Sequence, residues 1–112
     1  MIETILLDYL NTANLSATVY TEQPKEKPAA FFVLEKTGGS QTNHINESNI
    51  IIQSNGTSLA SAASMNEEIK AAMFNAITLD YISRVELNGD YNYTDSASKQ
   101  YRYQSVFVIT HY

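Results

Sequence analysis

The feature that most constrains the fold is the run of β-forming residues at positions 101–112, YRYQSVFVITHY. Successive side chains of a strand point to opposite faces of its sheet. The alternation places Tyr101, Tyr103, Phe107 and Ile109 on one side and Val106, Val108 and Tyr112 on the other. Because both sides are apolar near the middle of the run, the sequence predicts a central strand, or a strand whose outer face meets a partner.

Four other segments are rich in β-branched or aromatic residues and are predicted to be strands: 17–21, 29–36, 49–53 and 83–87. The apolar runs at 29–36 and 49–53 suit strands that are covered on both faces for part of their length. The EQPKEKP segment at 22–28 contains two prolines among four charges, so it is expected to be a solvated loop.

Two segments carry apolar residues at helical spacing. The first runs from about Ile2 to Ala13, and Asn14 is a plausible stop. The second has Thr57 or Ser58 as candidate N-caps. Its apolar stripe consists of Leu59, Ala62, Ala63, Ile69, Ala72, Met73, Ala76 and Ile77. Ser64 with Glu67 is also a capping-box pattern, so the second helix could begin or bend there.

The order helix, strand, strand, strand, helix, strand, strand predicts one α+β domain over residues 1–112. We expect a mostly antiparallel sheet of four to five strands with both helices packed on one face. The 112 residues suffice for one core, and 44 % of them are hydrophobic. The chain contains no cysteine, so the fold must hold by packing without disulfides. Neither a signal peptide nor a membrane span is predicted.

Two glycine-containing stretches invite a conformational interpretation. Gly38 and Gly39 end an apolar run and are followed by polar residues, without the lysine of a P-loop or the helix of a dinucleotide loop. We therefore expect them to form a bend with positive φ that opens an exposed loop over residues 38–48. Asn88-Gly89 is a strong local turn signal, followed by a polar segment over residues 90–100.

Candidate catalytic or metal-binding residues are sparse. His44 and His111 are far apart in sequence, have no carboxylate or second histidine at ligand spacing, and are expected to be ordinary surface side chains. No nucleophile motif is present. The residues therefore show no catalytic set, and no metal or other cofactor is predicted. The net charge of −5, with scattered basic residues, argues against a specific nucleic-acid partner.

Tyrosines crowd the last quarter of the chain, where Tyr91, Tyr93, Tyr101, Tyr103 and Tyr112 lie. Without a basic patch or a catalytic partner, they indicate sheet packing or a protein interface rather than stacking on nucleic acid.

An ordered set of motifs carries a family resemblance. It consists of FFVLEKTGG with Thr37-Gly38-Gly39, the strand NIIIQSNG, the small-residue helix SLASAASMNEEIKAAMFNAI, an acidic tyrosine-containing segment with Asp95, and the terminal Arg102-Tyr103-Gln104. Together these resemble the tail terminator (tail-to-head joining, or tail completion) proteins of long-tailed bacteriophages and prophages. One departure is the polar segment SQTNHINESN. In that family, the segment that leads into this strand is commonly shorter and more apolar.

The resemblance implies a structural virion protein that is not an enzyme, located at the head–tail junction and assembled in the host cytoplasm. Members form a ring, usually of six subunits, that caps the tail tube, stops its polymerisation and presents a surface to the neck. The implied partners are further copies of the chain, the tail tube protein and a neck or head-completion protein. The free protein could be a monomer in solution, because ring closure could need the tip of the tube as a template. Expected subunit-interface residues lie at 38–48 and 88–101 and nearby: Thr37, Gly38, Gly39, His44, Tyr91, Tyr93, Asp95, Arg102 and Tyr103.

Three alternatives stay open at this point. The chain could be another neck protein, such as a head-completion or connector subunit. It could be a small α+β ligand-binding domain or enzyme whose site is assembled from loops. It could also be a regulatory or chaperone-like phage protein that binds tail subunits without entering the particle.

Overall fold

The predicted α+β fold and element order are confirmed. The computed structural model describes residues 2–26, 28–98 and 100–112; Lys27 of the predicted proline-rich loop and Lys99 of the predicted polar segment lie outside the described residues. The elements are α1 (Ile2–Asn11), β1 (Val19–Tyr20), β2 (Phe31–Thr42), β3 (Ile45–Gly56), α2 (Leu59–Asn75) with a 3-10 turn at Ala76–Thr78, β4 (Ile82–Asn92) and β5 (Tyr101–His111).

The five strands form one sheet in the order β1-β2-β3-β5-β4. Among the pairings of the described residues, only the short β1–β2 pairing is parallel, so the sheet is mostly antiparallel. β5 lies between β3 and β4, which confirms the central strand predicted from its two apolar faces. β4 and β1 occupy the edges.

Both helices pack on the same face of the sheet. α1 contacts β1 and β2, while α2 contacts β3, β5 and β4. The core between helices and sheet joins buried side chains of both layers: Leu6, Leu10, Ile69 and Met73 from the helices, and Phe32, Leu34, Ile50, Ile52, Phe107 and Ile109 from the strands. The Tyr9 hydroxyl donates to the Ala72 carbonyl at 2.9 Å and ties one helix to the other.

The helix boundaries follow local capping chemistry. α1 ends at Asn11, two residues before the predicted end, and Asn14 adopts φ +57°, as expected of a helix stop. α2 begins at Leu59 because the Ser58 side chain accepts a hydrogen bond from the Ser61 N–H at 3.1 Å. The alternative start at Ser64 is therefore wrong.

The predicted loop at 38–48 is wrong. Gly38 and Gly39 lie inside β2 without positive φ, and the strand pairs with β3 as far as Thr42–Ile45. The bend is instead the two-residue turn Asn43–His44, with φ of +52° and +66°. Polar residues are as compatible with a solvent-exposed strand as with a loop. Pairing with the neighbouring strand therefore decides that this polar segment is a strand.

The predicted turn at Asn88-Gly89 is also wrong. β4 continues to Asn92, and the register against β5 shifts between Leu87 and Gly89, which marks a bulge. Gly89 has φ +151°, a conformation that L side chains rarely adopt. Gly89 does adopt a backbone conformation that favours glycine, but it does so at a bulge within an edge strand and not in a hairpin turn.

Candidate assembly surface

The sheet face opposite the helices, here called the open face, carries a row of polar side chains across three strands. The strand register places Gln53 of β3, Gln104 of β5 and Tyr91 of β4 directly side by side. Gln53 Nε2 donates to Gln104 Oε1 at 3.2 Å, and Gln104 Nε2 donates to the Tyr91 hydroxyl. This chain of hydrogen bonds fixes the three side chains and leaves the hydroxyl hydrogen of Tyr91 available to an outside acceptor.

Beside this row lies an aromatic cluster formed by Tyr91, Tyr93 and Arg102. The two tyrosine rings meet edge to face with centroids 6.0 Å apart. The Arg102 guanidinium lies 4.7 Å from the Tyr93 ring centroid, and Arg102 Nε donates to the Tyr93 carbonyl at 2.8 Å. Tyr91 and Tyr93 remain 46 % and 44 % exposed. Tyrosine and arginine held rigidly at a surface are typical of binding hot spots.

The middle of the open face is apolar. Ile51, Val106 and Val108 point away from the helices and are half-buried, although none of the described helices covers them. An antiparallel sheet with one solvated face normally alternates apolar and polar residues cleanly. The departure from that alternation makes the open face suitable for a protein partner.

The end of the β2–β3 hairpin, residues 36–48, is here called the arm. Strands of 12 residues are about 40 Å long, whereas the 17 residues of α2 span about 26 Å. α2 starts directly after β3, at the end of the hairpin opposite its turn. The arm therefore extends past the end of α2. It bears Thr37, Gly38 and Gly39 in β2 and exposed His44 at its tip.

An open groove of about 550 Å³ runs along the arm on the side that faces the helices. Its lining includes Lys36, Gly39, Gln41, Asn46 and His111. No ion pair to Lys36 is found among the residues that the structure describes.

The prediction of a surface position for His111 is wrong, since the residue is 5 % exposed. His111 Nε2 lies 2.8 Å from the Ser48 hydroxyl, and His111 Nδ1 lies 3.2 Å from the Tyr112 carbonyl. Because that carbonyl can only accept, Nδ1 donates to it and the neutral ring accepts from Ser48 at Nε2. Burial lowers the pKa of His111. Ser48 is itself only 1 % exposed, so this pair acts in packing β3 against β5.

Asp95 lies near the aromatic cluster without joining it. Its carboxylate accepts from the Ala97 N–H at 3.1 Å. A hydrogen bond from the Ser98 side chain, together with that from Ala97, lowers the pKa of Asp95, and the charge of Arg102 contributes less. Tyr103 pairs with Ser54 and points to the helix side of the sheet. The structure thus brings Tyr91, Tyr93 and Arg102 together but separates Tyr103 from them.

A polar network that the sequence patterns do not predict joins α2 to the sheet. Asn66 is 1 % exposed, and its Nδ2 donates to Asp90 Oδ2 at 2.8 Å while its Oδ1 accepts from Ser105. Lys70 Nζ lies 3.0 Å from the same Asp90 oxygen and 2.9 Å from Glu67. Hydrogen bonding by Lys70 lowers the pKa of Asp90. Asn66 lies four residues after Ala62 and three before Ile69, so it falls on the apolar stripe of the helix. A polar amide at such a position is the sequence signal of a buried network.

Other kinds of site find little support in the described part of the chain. Over residues 2–26, 28–98 and 100–112, no three histidine, cysteine, aspartate or glutamate side chains are grouped so as to hold a metal ion. None of the helices described is long and apolar enough to cross a bilayer. A comparison with protein-family models finds no match to this chain, and a comparison with curated proteins finds none either.

Proposed function

We propose that this protein is a structural subunit of the head–tail junction of a long-tailed phage, forming a ring that caps the tail tube, ends its polymerisation and joins the tail to the head. The observation that carries the proposal is the open face. It combines half-buried Ile51, Val106 and Val108 with a rigid, exposed aromatic cluster. The family resemblance of the motifs supplies the biological setting.

A closed ring requires two unlike surfaces on each subunit, because each copy contacts a different patch of the next. The arm and the aromatic cluster meet that requirement. The arm tip follows Thr42, whereas the cluster lies where β4 ends and β5 begins, at the opposite end of the sheet. We expect the arm of one subunit to contact the region of Tyr91, Tyr93 and Arg102 on its neighbour, with the ends of the ring facing tube and neck.

The proposal includes the absence of a catalytic role. The pairing that most resembles catalytic machinery is Ser48 with His111, and both side chains are buried. Both residues border the groove along the arm, but a serine nucleophile must present its hydroxyl to a substrate, and Ser48 is only 1 % exposed. The same pair has a sufficient packing role between β3 and β5.

The decisive experiment is deletion of the gene from the phage or prophage that encodes it, followed by electron microscopy of lysates. We expect filled heads, unjoined tails and tails of abnormal length, because nothing would stop tube growth. Tails of uniform normal length would instead indicate a connector or head-completion subunit. Heads that fail to package would also contradict the proposal.

Complementing the deletion with variants of the gene tests whether the aromatic cluster is required for joining. Arg102→Glu should fail to restore joined particles, whereas Lys25→Glu, the same charge reversal in the exposed loop before β2, should restore them. Protein bound at the tips of purified tails, detected by specific antibody, should be lost with Arg102→Glu and kept with Lys25→Glu.

A further inference from the structure

Two edges of the sheet carry backbone groups that have no partner strand among the described residues. β1 pairs with β2 at Phe32 and Val33, so the outer edge of β2 is unpaired from Leu34 to Thr42. β4 lies at the other end of the strand order, and its outer edge is unpaired along its length. An unpaired edge offers a row of N–H and C=O groups to which another strand can add.

A bulge interrupts each of these edges. The register of β2 shifts between Lys36 and Gly38, and that of β4 shifts between Leu87 and Gly89. A regular strand therefore cannot pair along the whole of either edge. Between the bulge and the end of the strand, each edge keeps a regular stretch of five residues. These stretches are 38–42 in the arm and 89–93 beside the aromatic cluster, where the Tyr93 N–H still bonds to β5.

The two stretches present their backbone groups in the same pattern. The Tyr93 N–H bonds to β5, so the alternation of an antiparallel pair directs the groups of Asn92 and Asp90 outward. In the arm, Thr42 bonds across the hairpin at the two-residue turn, so the groups of Gly39 and Gln41 point outward. In both stretches the side chains of these residues lie on the helix side of the sheet.

We infer that copies of this chain join head to tail by strand addition, with residues 38–42 of one copy pairing antiparallel to residues 89–93 of the next. Three successive antiparallel pairings separate β2 from β4, so the two strands run in opposite directions and meet with the required polarity. Each copy uses two different edges, which is the heterologous contact that a ring needs. The inference rests on the proposed function for its setting, because it names the contact by which the proposed ring closes.

The register that uses both stretches fully places Gly39 opposite Asn92 and Gln41 opposite Asp90. The added strand passes β2 as far as Lys36, short of the part of β2 that β1 covers. Neighbouring copies are then staggered by six rows of the sheet, or about 20 Å. Across the four strands β2, β3, β5 and β4, spaced about 4.8 Å apart, this stagger corresponds to a strand tilt of about 45°, as closed sheets require.

The side chains that meet in this register are complementary. On the helix side, Gln41 is exposed and lies opposite Asp90. Asp90 Oδ1 makes no hydrogen bond within the described chain, so it can accept from the Gln41 amide. On the open face, Gly38 lies opposite the exposed ring of Tyr93. Packing within the chain does not require glycine at position 38, whereas an aromatic ring packs well over a glycine of a neighbouring strand.

Cysteine cross-linking of the purified full chain tests the pairing, since the chain has no cysteine of its own. Ser40 and Tyr91 fall opposite each other at a position without backbone hydrogen bonds, where Cα atoms lie about 4.5 Å apart and a disulfide can form. Oxidation of Ser40→Cys/Tyr91→Cys at high protein concentration should give a ladder of covalent oligomers, because each copy bonds to two neighbours. The control Ser40→Cys/Arg84→Cys uses an exposed residue of the same strand, and should give at least about tenfold less material above the dimer.

Proline supplies a second test. The Gln41 N–H points outward, so Gln41→Pro removes a bond to the next copy and none from the hairpin. In the Ser40→Cys/Tyr91→Cys chain it should reduce the ladder about tenfold, whereas Gln41→Ala, which keeps the N–H, should reduce it by no more than about twofold. Circular dichroism checks that each variant folds, and the cysteine comparison stands by itself if the proline variant does not.

The pairing is overturned if Ser40→Cys/Tyr91→Cys gives no oligomers above the dimer, or if the control with Arg84→Cys gives an equal ladder. These results are distinguishable from failure of the proposed function, which shows in tail length and head–tail joining after deletion of the gene. A ladder from the purified chain together with normal tails in the deletion strain would support the pairing and overturn the proposed function.

Discussion

Gly39 and Glu47 approach each other across the arm so closely that a methyl group at position 39 would lie 2.7 Å from the Glu47 carbonyl oxygen. At the preceding Gly38, an added methyl group would lie 3.6 Å from the nearest atom, which is ordinary van der Waals contact. The two adjacent glycines therefore have different roles: Gly39 permits the close backbone approach, whereas Gly38 is not required by packing within the chain.

This difference predicts opposite outcomes for two alanine substitutions. Gly39→Ala should lower the free energy of unfolding by about 1–3 kcal/mol, because backbone atoms cannot move away cheaply. Gly38→Ala should leave it unchanged or raise it by about 0.5–1 kcal/mol, since alanine loses less conformational entropy than glycine. Urea denaturation measures both. Equal destabilisation by the two substitutions would contradict the geometry of the arm.

The hairpin turn supplies a stabilising prediction. Asn43 and His44 both adopt positive φ, as in a type I′ turn, for which Asn-Gly is the preferred pair. His44→Gly should therefore raise the free energy of unfolding by about 1 kcal/mol, because a side chain in the left-handed region costs about that much. His44→Val should lower it, since β-branched residues fit that region worst. Thermal unfolding of the three proteins gives the order, and a stabilised valine variant would refute it.

The buried Asn66 should be the most sensitive polar residue of α2. Asn66→Ala removes a donor to Asp90 and an acceptor for the buried Ser105 hydroxyl, and should cost about 2–4 kcal/mol of unfolding free energy. Asn75→Ala is the matched control, because Asn75 is exposed on the same helix and should change stability by less than about 0.5 kcal/mol. Similar losses for the two variants in urea denaturation would mean that the network contributes little.

Stability should depend on pH through His111. Burial lowers its pKa in the folded state below the unfolded value of 6.5, so the unfolded chain takes up the proton first as pH falls. The contribution of neutral His111 is therefore complete above about pH 6.5 and is lost as pH falls from there through the folded pKa. Urea midpoints measured between about pH 8 and pH 5 should decrease toward acid.

Substitutions of the two histidines test whether His111 causes this decrease of the urea midpoint toward acid pH. His111→Gln retains a polar group for Ser48 but cannot titrate, so it should be less stable at neutral pH and lose much less stability toward acid. His44→Gln serves as the comparison, because His44 is exposed at the turn and the wild-type decrease should persist. An unaltered pH dependence in His111→Gln would assign the effect to other groups.

The elements were predictable where one local signal dominated. The apolar stripe and Ser58 located α2, the two-sided apolar pattern of residues 101–112 located a central strand, and their order predicted the α+β fold. Polar strand ends were not predictable, since residues such as Ser40 and Asn46 satisfy a loop and a solvated strand equally well. Glycine signals at Gly38 and Gly89 indicated special backbone but did not distinguish a bend from a strand interior or a bulge.

The candidate site was also predictable from the sequence only in part. The sequence by itself determined which residue types were available: an acidic chain without cysteine, tyrosines near its end, and Arg102 among them. Only the tertiary structure decided that Gln53, Gln104 and Tyr91 form one row, that Tyr93 holds Arg102, and that His111 is buried. The physical reason is that hydrophobic periodicity is local, whereas strand register and the face to which each side chain points depend on pairing between distant segments.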